Sequence, residues 1–145
     1  MQVFSVALYL LEIILNTFAL TSLITLLIVL HMLVNLFMVG RARGQYQIKA
    51  PAITGNEAFE RIYRIQMNTI EGVVLFLPSM WIYAYYLGDK GAACTGLIWL
   101  IGRVWYALAY KINPPKRGAG FLISMLAVVG AWLGGLYGVL LVCFN

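Results

Sequence analysis

The segment ERIYRIQMNTIE, residues 60–71, carries four charged side chains in a chain whose other long segments are almost entirely apolar. Residues 72–87, which follow it directly, contain no charge. Across the 145 residues, 63% are hydrophobic and 10% are charged, and the mean hydropathy is +0.89. These values lie outside the usual range of soluble domains and indicate a membrane protein.

Four segments are apolar and long enough to cross a bilayer, which requires about 20 residues. They are separated by stretches rich in Gly, Pro, Asn and Asp, which favour turns. The predicted helices span residues 3–40, 56–87, 92–111 and 118–142. Because no repeat or long linker divides the chain, we predict one domain, residues 1–145, with an all-α fold: an integral membrane four-helix bundle.

Basic residues predict the orientation of this bundle, because cytoplasmic loops carry an excess of Lys and Arg. The first and third predicted loops hold Arg41, Arg43, Lys49, Lys111, Lys116 and Arg117, whereas the second offers Lys90 beside Asp89. We therefore expect loops one and three to be cytoplasmic. The same bias accounts for much of the net charge of +5, so no nucleic-acid partner is implied. The N-terminus lacks the features of a cleaved signal peptide, and the short termini favour a bacterial inner membrane.

The charges of the opening segment fall on one side of the second helix. At 100° per residue, Glu57, Arg64, Asn68 and Glu71 lie within about 80° of Arg61. A charge at the bilayer centre costs about 2.5–3.5 kcal/mol, so such residues face protein, water or one another. Two interpretations remain open: salt bridges that hold helices together, or the lining of a polar site.

The third helix repeats this pattern with Trp99, Arg103, Tyr106 and Tyr110 on one face. One interpretation is an aromatic belt at the membrane interface with a single snorkelling arginine. Taken together, however, the two helices offer guanidinium groups, an amide, phenols and a carboxylate. Arginine binds carboxylates through two parallel hydrogen bonds, so the residues predict a small zwitterionic ligand with several carboxylates.

Both segments resemble a known family. ERIYRIQMNTIE with GRVWYALAYKINPPKRGAG, residues 102–120, resembles the MAPEG family, the membrane-associated proteins in eicosanoid and glutathione metabolism. The family pattern ER..R.Q.N..E, then GR..Y...Y, then an arginine recurs here in order. The resemblance implies a homotrimer that holds glutathione between subunits and ionises its thiol, for attack on lipophilic electrophiles or reduction of hydroperoxides.

The resemblance also assigns residues. It implies that Arg117 is the catalytic cation beside the glutathione sulfur, with Lys116 as its nearest rival, and that Arg61 has a structural role. The implied glutathione contacts are Arg64, Asn68 and Glu71 on the second helix, Arg103, Tyr106 and Tyr110 on the third, and Arg43 and Gln66 reaching the site of a neighbouring subunit. No metal is implied.

Three positions depart from the pattern of particular family members. Gly72 and Gly44 stand where the leukotriene-conjugating synthase has a tyrosine and a second arginine, and Phe121 stands where some relatives have a tyrosine. These departures argue against a leukotriene-specific or prostaglandin-isomerising role. The leading hypothesis is a membrane glutathione transferase with possible glutathione peroxidase activity. A non-catalytic lipid-binding scaffold is the alternative, and a small transporter has little support.

The remaining notable residues favour structural roles. His31 has no metal-ligand spacing and favours a buried hydrogen-bonded role. Glu12 lies in an apolar segment without an evident partner. Cys94 and Cys143 are expected to be small core or lipid-facing residues. A packing role is expected for the glycines spaced by four on the last helix, Gly130, Gly134 and Gly138.

Overall fold

The computed structural model describes residues 17–144, which form four long α-helices. They are α1 (Ala19–Tyr46), α2 (Glu57–Leu87), α3 (Asp89–Ile112) and α4 (Gly118–Phe144), with a short 3-10 helix at Pro114–Arg117 before α4. Each long helix has the length and apolar composition needed to cross a membrane. No strand occurs in residues 17–144, so the prediction of an all-α bundle is confirmed.

The start of α1 differs from the predicted helix 3–40. Residues 17 and 18 form a turn, and the helix that follows begins at Ala19. The Asp89 carboxylate accepts hydrogen bonds from the backbone N–H groups of Leu20 at 2.9 Å and Thr21 at 2.7 Å. These donors have no partner within their own helix, so a carboxylate from the α2–α3 turn stabilises a helix start here. Glu12 and the rest of residues 1–16 lie outside the described residues.

The end of α1 also differs, because the helix continues six residues past the predicted boundary. It ends at Tyr46, before Gln47 with φ of 54°, and the Ile48 N–H bonds the Arg43 carbonyl at 3.1 Å. Gly40 costs the helix only about 0.5–1 kcal/mol, and the arginines that follow are good helix formers. Arg41 and Arg43 therefore lie on α1 and not in loop one, which is a correction to the sequence prediction.

The other boundaries shift less. Asn56 caps α2, because its side-chain oxygen accepts from the backbone N–H groups of Ala58 and Phe59. α3 begins at Asp89, three residues before the predicted start, because Gly88 with φ of 102° makes the whole turn by itself. α4 continues to Phe144.

The core is small and aromatic, and much of the outer surface is apolar. Phe76 of α2 stacks on Trp99 of α3 with ring centroids 5.0 Å apart and planes at 7°. Leu26, Phe37 and Val142 are 66%, 74% and 67% exposed. Large apolar side chains turned outward in this way suit lipid contact.

Glycines bring α3 and α4 into close contact. A Cβ added at Gly102 would lie 2.7 Å from the backbone nitrogen of Ser124, and one added at Gly120 would lie 2.8 Å from the Gly102 carbonyl oxygen. No larger residue fits without separating the helices, as in other close helix crossings in membranes. This crossing holds the start of α4 against the end of α3.

The predicted packing role of the spaced glycines holds for two of the three. An added Cβ at Gly134 would overlap the Tyr83 ring, and one at Gly138 would lie 2.5 Å from Tyr86 Cβ. At Gly130 no described residue has an atom within 4 Å of an added Cβ, so a packing role there stays a prediction. Gly135 also packs closely, since an added Cβ there would lie 3.1 Å from Ile82.

The helices alternate in direction, which puts charges at one end. Because Asp89 contacts the start of α1, the α2–α3 turn and that start share one end of the bundle. The opposite end, formed by residues 41–57 and 110–118, is called the basic end below. It contains all of the predicted loop-one and loop-three cations, Arg41, Arg43, Lys49, Lys111, Lys116 and Arg117.

Candidate functional site

Four of the predicted site residues form a continuous row of contacts that leads to the basic end. Asn68 Nδ2 donates a hydrogen bond of 2.7 Å to the Tyr106 hydroxyl. The Tyr106 and Tyr110 rings meet edge to face with centroids 5.6 Å apart. The Arg117 guanidinium carbon lies 4.4 Å from the centroid of the Tyr110 ring. We call Asn68, Tyr106, Tyr110 and Arg117 the site row.

The chain places Arg117 in this row by reversing direction after α3. α3 ends at Ile112, and Pro114 opens the 3-10 helix at a position that needs no N–H donor. The Lys116 N–H bonds the Asn113 carbonyl at 2.9 Å and tightens the turn. Arg117 thus returns to Tyr110, whereas Lys116, the rival candidate, is exposed and contacts no ring among the described residues.

A polar cavity of about 270 Å³ adjoins the row and contains Arg64 and Tyr110. Its other lining residues are Ile53, Thr54, Glu57, Glu60, Arg61 and Tyr63. Within residues 17–144 the Arg64 side chain has no hydrogen bond or ion pair, and it is exposed. Glu71, about two helical turns further along α2, is also exposed. Both side chains are therefore free to contact a ligand.

We call the residues that share one side of α2 the charged stripe: Glu57, Arg61, Arg64, Asn68 and Glu71. The interpretation of these residues as salt bridges holds for one arginine. Arg61 Nη2 lies 2.8 Å from the Glu57 carboxylate, and this is the sole ion pair in the described part of the chain. Glu60 accepts a hydrogen bond from the Gly55 N–H at 3.0 Å and so closes loop one onto α2. Salt bridges therefore account for Arg61 and leave Arg64 unexplained.

Arg103 lies buried within the chain. It is only 3% exposed, and its Nη2 donates to the Thr69 hydroxyl at 3.1 Å. Its guanidinium carbon lies 4.4 Å from the centre of the Tyr106 ring, and its buried Nε has no hydrogen-bond partner among the described residues. The predicted direct contact between Arg103 and a ligand stays a prediction, and within this chain the guanidinium is covered by Thr69 and the Tyr106 ring.

Thr69 was not among the predicted site residues, and it lies on the side of α2 away from the charged stripe. It is 1% exposed, donates to the Ile65 carbonyl at 2.7 Å, and accepts from Asn35 Nδ2 at 3.5 Å as well as from Arg103. Asn35 also lies 3.2 Å from His31 Nε2, so the expected hydrogen-bonded role of His31 is confirmed. The available signal was the pair His31 and Asn35, two polar residues four apart in the otherwise apolar α1.

Gln66 and Arg43 lie away from the site row within one chain. Gln66 is about 200° from Asn68 around α2 and lines a largely apolar groove of about 370 Å³ between α1 and α2. Arg43 Nη1 donates to the Ala52 carbonyl at 2.8 Å, and its guanidinium lies 5.0 Å from the Phe59 ring. A single chain therefore does not bring these two residues to the row.

A protein-family model and several known proteins match this chain. The MAPEG family model matches residues 21–137. An uncharacterized protein of Synechocystis sp. is 46% identical over 120 residues, which cover 80% of this chain and 88% of that protein. Microsomal glutathione S-transferase 2 of Homo sapiens is 35% identical over 98 residues, covering 64% and 67%. Leukotriene C4 synthase of Cavia porcellus is 36% identical over 115 residues, covering 79% and 75%.

The matched region includes every element that builds the site. It contains nearly all of α1, the whole of α2 and α3, and α4 as far as Tyr137. The site row and the charged stripe both fall inside it, and its four apolar helices are those of an integral membrane protein. The chain belongs to the MAPEG family.

Proposed function

We propose that this protein is a membrane-bound glutathione transferase that joins the glutathione sulfur to lipophilic electrophiles. The observation that carries the proposal is the contact row from Asn68 through Tyr106 and Tyr110 to Arg117, beside a polar cavity that exposes Arg64. Two similar proteins, a microsomal glutathione S-transferase 2 and a leukotriene C4 synthase, also support the proposal.

Two exposed charges suit two of the charged groups of glutathione. Arg64 is the proposed partner of a glutathione carboxylate, because its guanidinium is exposed and has no partner in the described residues. Glu71 is the proposed partner of the ammonium group. Asn68 and Tyr110 would form hydrogen bonds with the peptide groups of glutathione. Tyr106, whose ring packs on Arg103, would hold Asn68 in place.

Arg117 is the proposed catalytic residue. Its cation rests on the Tyr110 ring, and a cation next to a thiol favours the ionised form. Each unit of pKa depression in the glutathione thiol requires about 1.4 kcal/mol of extra thiolate stabilisation, which one arginine in a partly dry site can provide. The thiol proton passes to solvent, the sulfur bonds to the electrophilic carbon, and the leaving group departs with its electron pair.

The same thiolate would support a peroxidase side activity. Sulfur attack on the outer oxygen of a lipid hydroperoxide breaks the O–O bond and yields an alcohol and glutathione sulfenic acid. A second glutathione then gives the disulfide and water. Glutathione is the reductant in this sequence, and no metal or prosthetic group takes part.

A homotrimer is the proposed assembly. Gln66 and Arg43 lie on faces of α2 and α1 that point away from the site row of their own chain. They would complete the glutathione site of a neighbour. We further propose a single domain, a bacterial inner membrane and a cytoplasmic basic end, as the distribution of Lys and Arg favours.

One observation favours a second candidate, a non-catalytic lipid-binding scaffold. The groove between α1 and α2 is lined mainly by Val29, Leu33, Leu36 and Ile70 and would suit an acyl chain. Exposed Arg64 and the site row serve no purpose in such a protein, so the transferase is preferred.

The test is turnover by the purified protein in mild detergent with glutathione and a chlorinated nitroaromatic. We expect conjugate formation, and binding without turnover when S-methylglutathione replaces glutathione, because it lacks the thiol. Loss of both binding and conjugation would reject the proposal. Glutathione binding with neither conjugation nor peroxidase activity would instead support the scaffold.

A further inference from the structure

A second polar cavity opens at the basic end, between α1, α2 and α3. Its volume is about 330 Å³. It is lined by Met38, Arg41, Ala42, Gln45 and Tyr46 of α1, Ile62 of α2 and Lys111 of α3. None of these residues has a role in the proposed glutathione site.

The charge of this cavity is uncompensated. Arg41 and Lys111 are its two charged lining residues, and both are positive. In residues 17–144 neither side chain has a hydrogen bond or an ion pair, although Arg61 at the same end does. Two cations that face one cavity repel each other, and an anion between them would remove this repulsion.

The cavity is amphipathic along the membrane normal. Arg41 and Lys111 lie in the last two turns of α1 and α3, where a spanning helix reaches the headgroup level. Met38 lies about one turn deeper than Arg41 on α1, Ile62 lines the cavity beside them, and Phe37, 74% exposed, continues an apolar surface toward the bilayer centre. The Gln45 amide and Tyr46 hydroxyl add hydrogen-bond donors beside the cations.

This cavity is distinct from the one that contains Arg64. Ile62 and Arg64 are two residues apart on α2 and therefore about 200° apart around the helix. Arg41 and Arg43 are related in the same way on α1. Arg43 turns to Phe59 and loop one, whereas Arg41 turns to α3.

We infer that the cavity between Arg41 and Lys111 binds the phosphate headgroup of an anionic phospholipid, with the acyl chains lying along α1. Basic pockets between spanning helices are suited to such headgroups. A soluble phosphate ester shares the headgroup chemistry but would leave Met38, Ile62 and Phe37 without an apolar partner. The competing explanation is that both cations merely complement the C-terminal dipoles of their helices.

The test is native mass spectrometry of the full-length protein in neutral detergent, with added phosphatidylglycerol or phosphatidylcholine of the same chain length. We expect the wild type to retain phosphatidylglycerol about thirtyfold more tightly, because each cation near the surface contributes. Arg41→Gln with Lys111→Gln should reduce this preference to about threefold or less. The charge-conserving pair Arg41→Lys with Lys111→Arg should retain most of it.

A matched control removes two charges elsewhere. Lys49→Gln with Lys90→Gln alters exposed lysines that do not line the cavity and should keep the full preference. Equal retention of both lipids by the wild type, or equal loss in the control variant, would overturn the inference. Glycerol 3-phosphate that binds as tightly as the lipid would assign the cavity to soluble phosphate esters. If the double variant does not fold, Arg41→Gln and Lys111→Gln alone should each lose about fivefold.

Discussion

The Asn68 amide donates a hydrogen bond of 2.7 Å to the hydroxyl of Tyr106, and this bond ties α2 to α3 at the centre of the site row. Tyr106 is 2% exposed and packs on Arg103 through its ring, so its hydroxyl is the part that meets α2. The bond therefore fixes the orientation of the Asn68 side chain.

This bond should be measurable as a coupling energy. Asn68→Ala leaves the Tyr106 hydroxyl without its partner and should destabilise the protein by about 1–3 kcal/mol, while Tyr106→Phe should cost less in the Asn68→Ala background. Thermal unfolding of both single variants and the double variant in detergent gives the coupling, expected at about 0.5–1.5 kcal/mol. Strictly additive effects would contradict the bond.

Arg64 is expected to carry much of the glutathione affinity. Arg64→Ala should weaken binding by about 1.5–3 kcal/mol, because a charge-assisted hydrogen bond to a carboxylate is lost. Calorimetric titration measures this. Arg61→Ala is the matched control, since Arg61 already pairs with Glu57 and should leave affinity nearly unchanged. If Arg64→Ala binds glutathione normally, the exposed stripe has no part in the site.

Arg117 is expected to act on the thiol more than on binding. Arg117→Leu should leave glutathione affinity within a few fold, raise the pKa of the bound thiol by about one to two units and lower turnover at neutral pH by about tenfold or more. Titration of the ultraviolet absorbance of the thiolate reports the pKa directly.

Lys116→Leu provides the control for this experiment, because Lys116 neighbours Arg117 but contacts no ring among the described residues. It should keep both the titration and the activity of the wild type. An unshifted thiol titration in Arg117→Leu, together with a shift in Lys116→Leu, would transfer the catalytic role to the lysine.

Thr69 is expected to matter for stability because it binds the buried guanidinium of Arg103. Thr69→Val keeps the size of the side chain but removes the acceptor at 3.1 Å, and should cost about 1.5–3 kcal/mol. Thr95→Val is the matched control, since the one hydrogen bond of the Thr95 hydroxyl in residues 17–144 is to the Ala92 carbonyl of its own helix. Equal melting temperatures of the two variants would argue that Arg103 gains nothing from Thr69.

The proposed trimer makes a prediction that combines two variants. Gln66→Ala and Arg64→Ala should each weaken glutathione binding when pure, yet mixed trimers should regain wild-type affinity at part of their sites, because one subunit supplies Arg64 and its neighbour supplies Gln66. Light scattering in detergent gives the mass. A monomer that binds glutathione, or mixtures without recovery, would exclude the shared site.

Much of the architecture could be read from the sequence, because a bilayer tolerates few alternatives. Long apolar segments must satisfy their backbone groups internally, so four such segments predict four helices. The helix ends were less predictable. Asp89 reaches the start of α1 from 68 residues away along the chain, and no local pattern contains that contact.

The candidate site also has features that the sequence predicted and features that it could not predict. Periodicity alone determined that Arg64, Asn68 and Glu71 share a face of α2 and that Arg103, Tyr106 and Tyr110 share a face of α3, because a helix repeats every 3.6 residues. Only the tertiary structure decided their depth. The close glycine crossing of α3 and α4 and the buried Thr69 hydroxyl draw Arg103 inside, while Arg64 and Arg117 stay outside. Burial depends on what packs against a face, and that partner comes from distant parts of the chain.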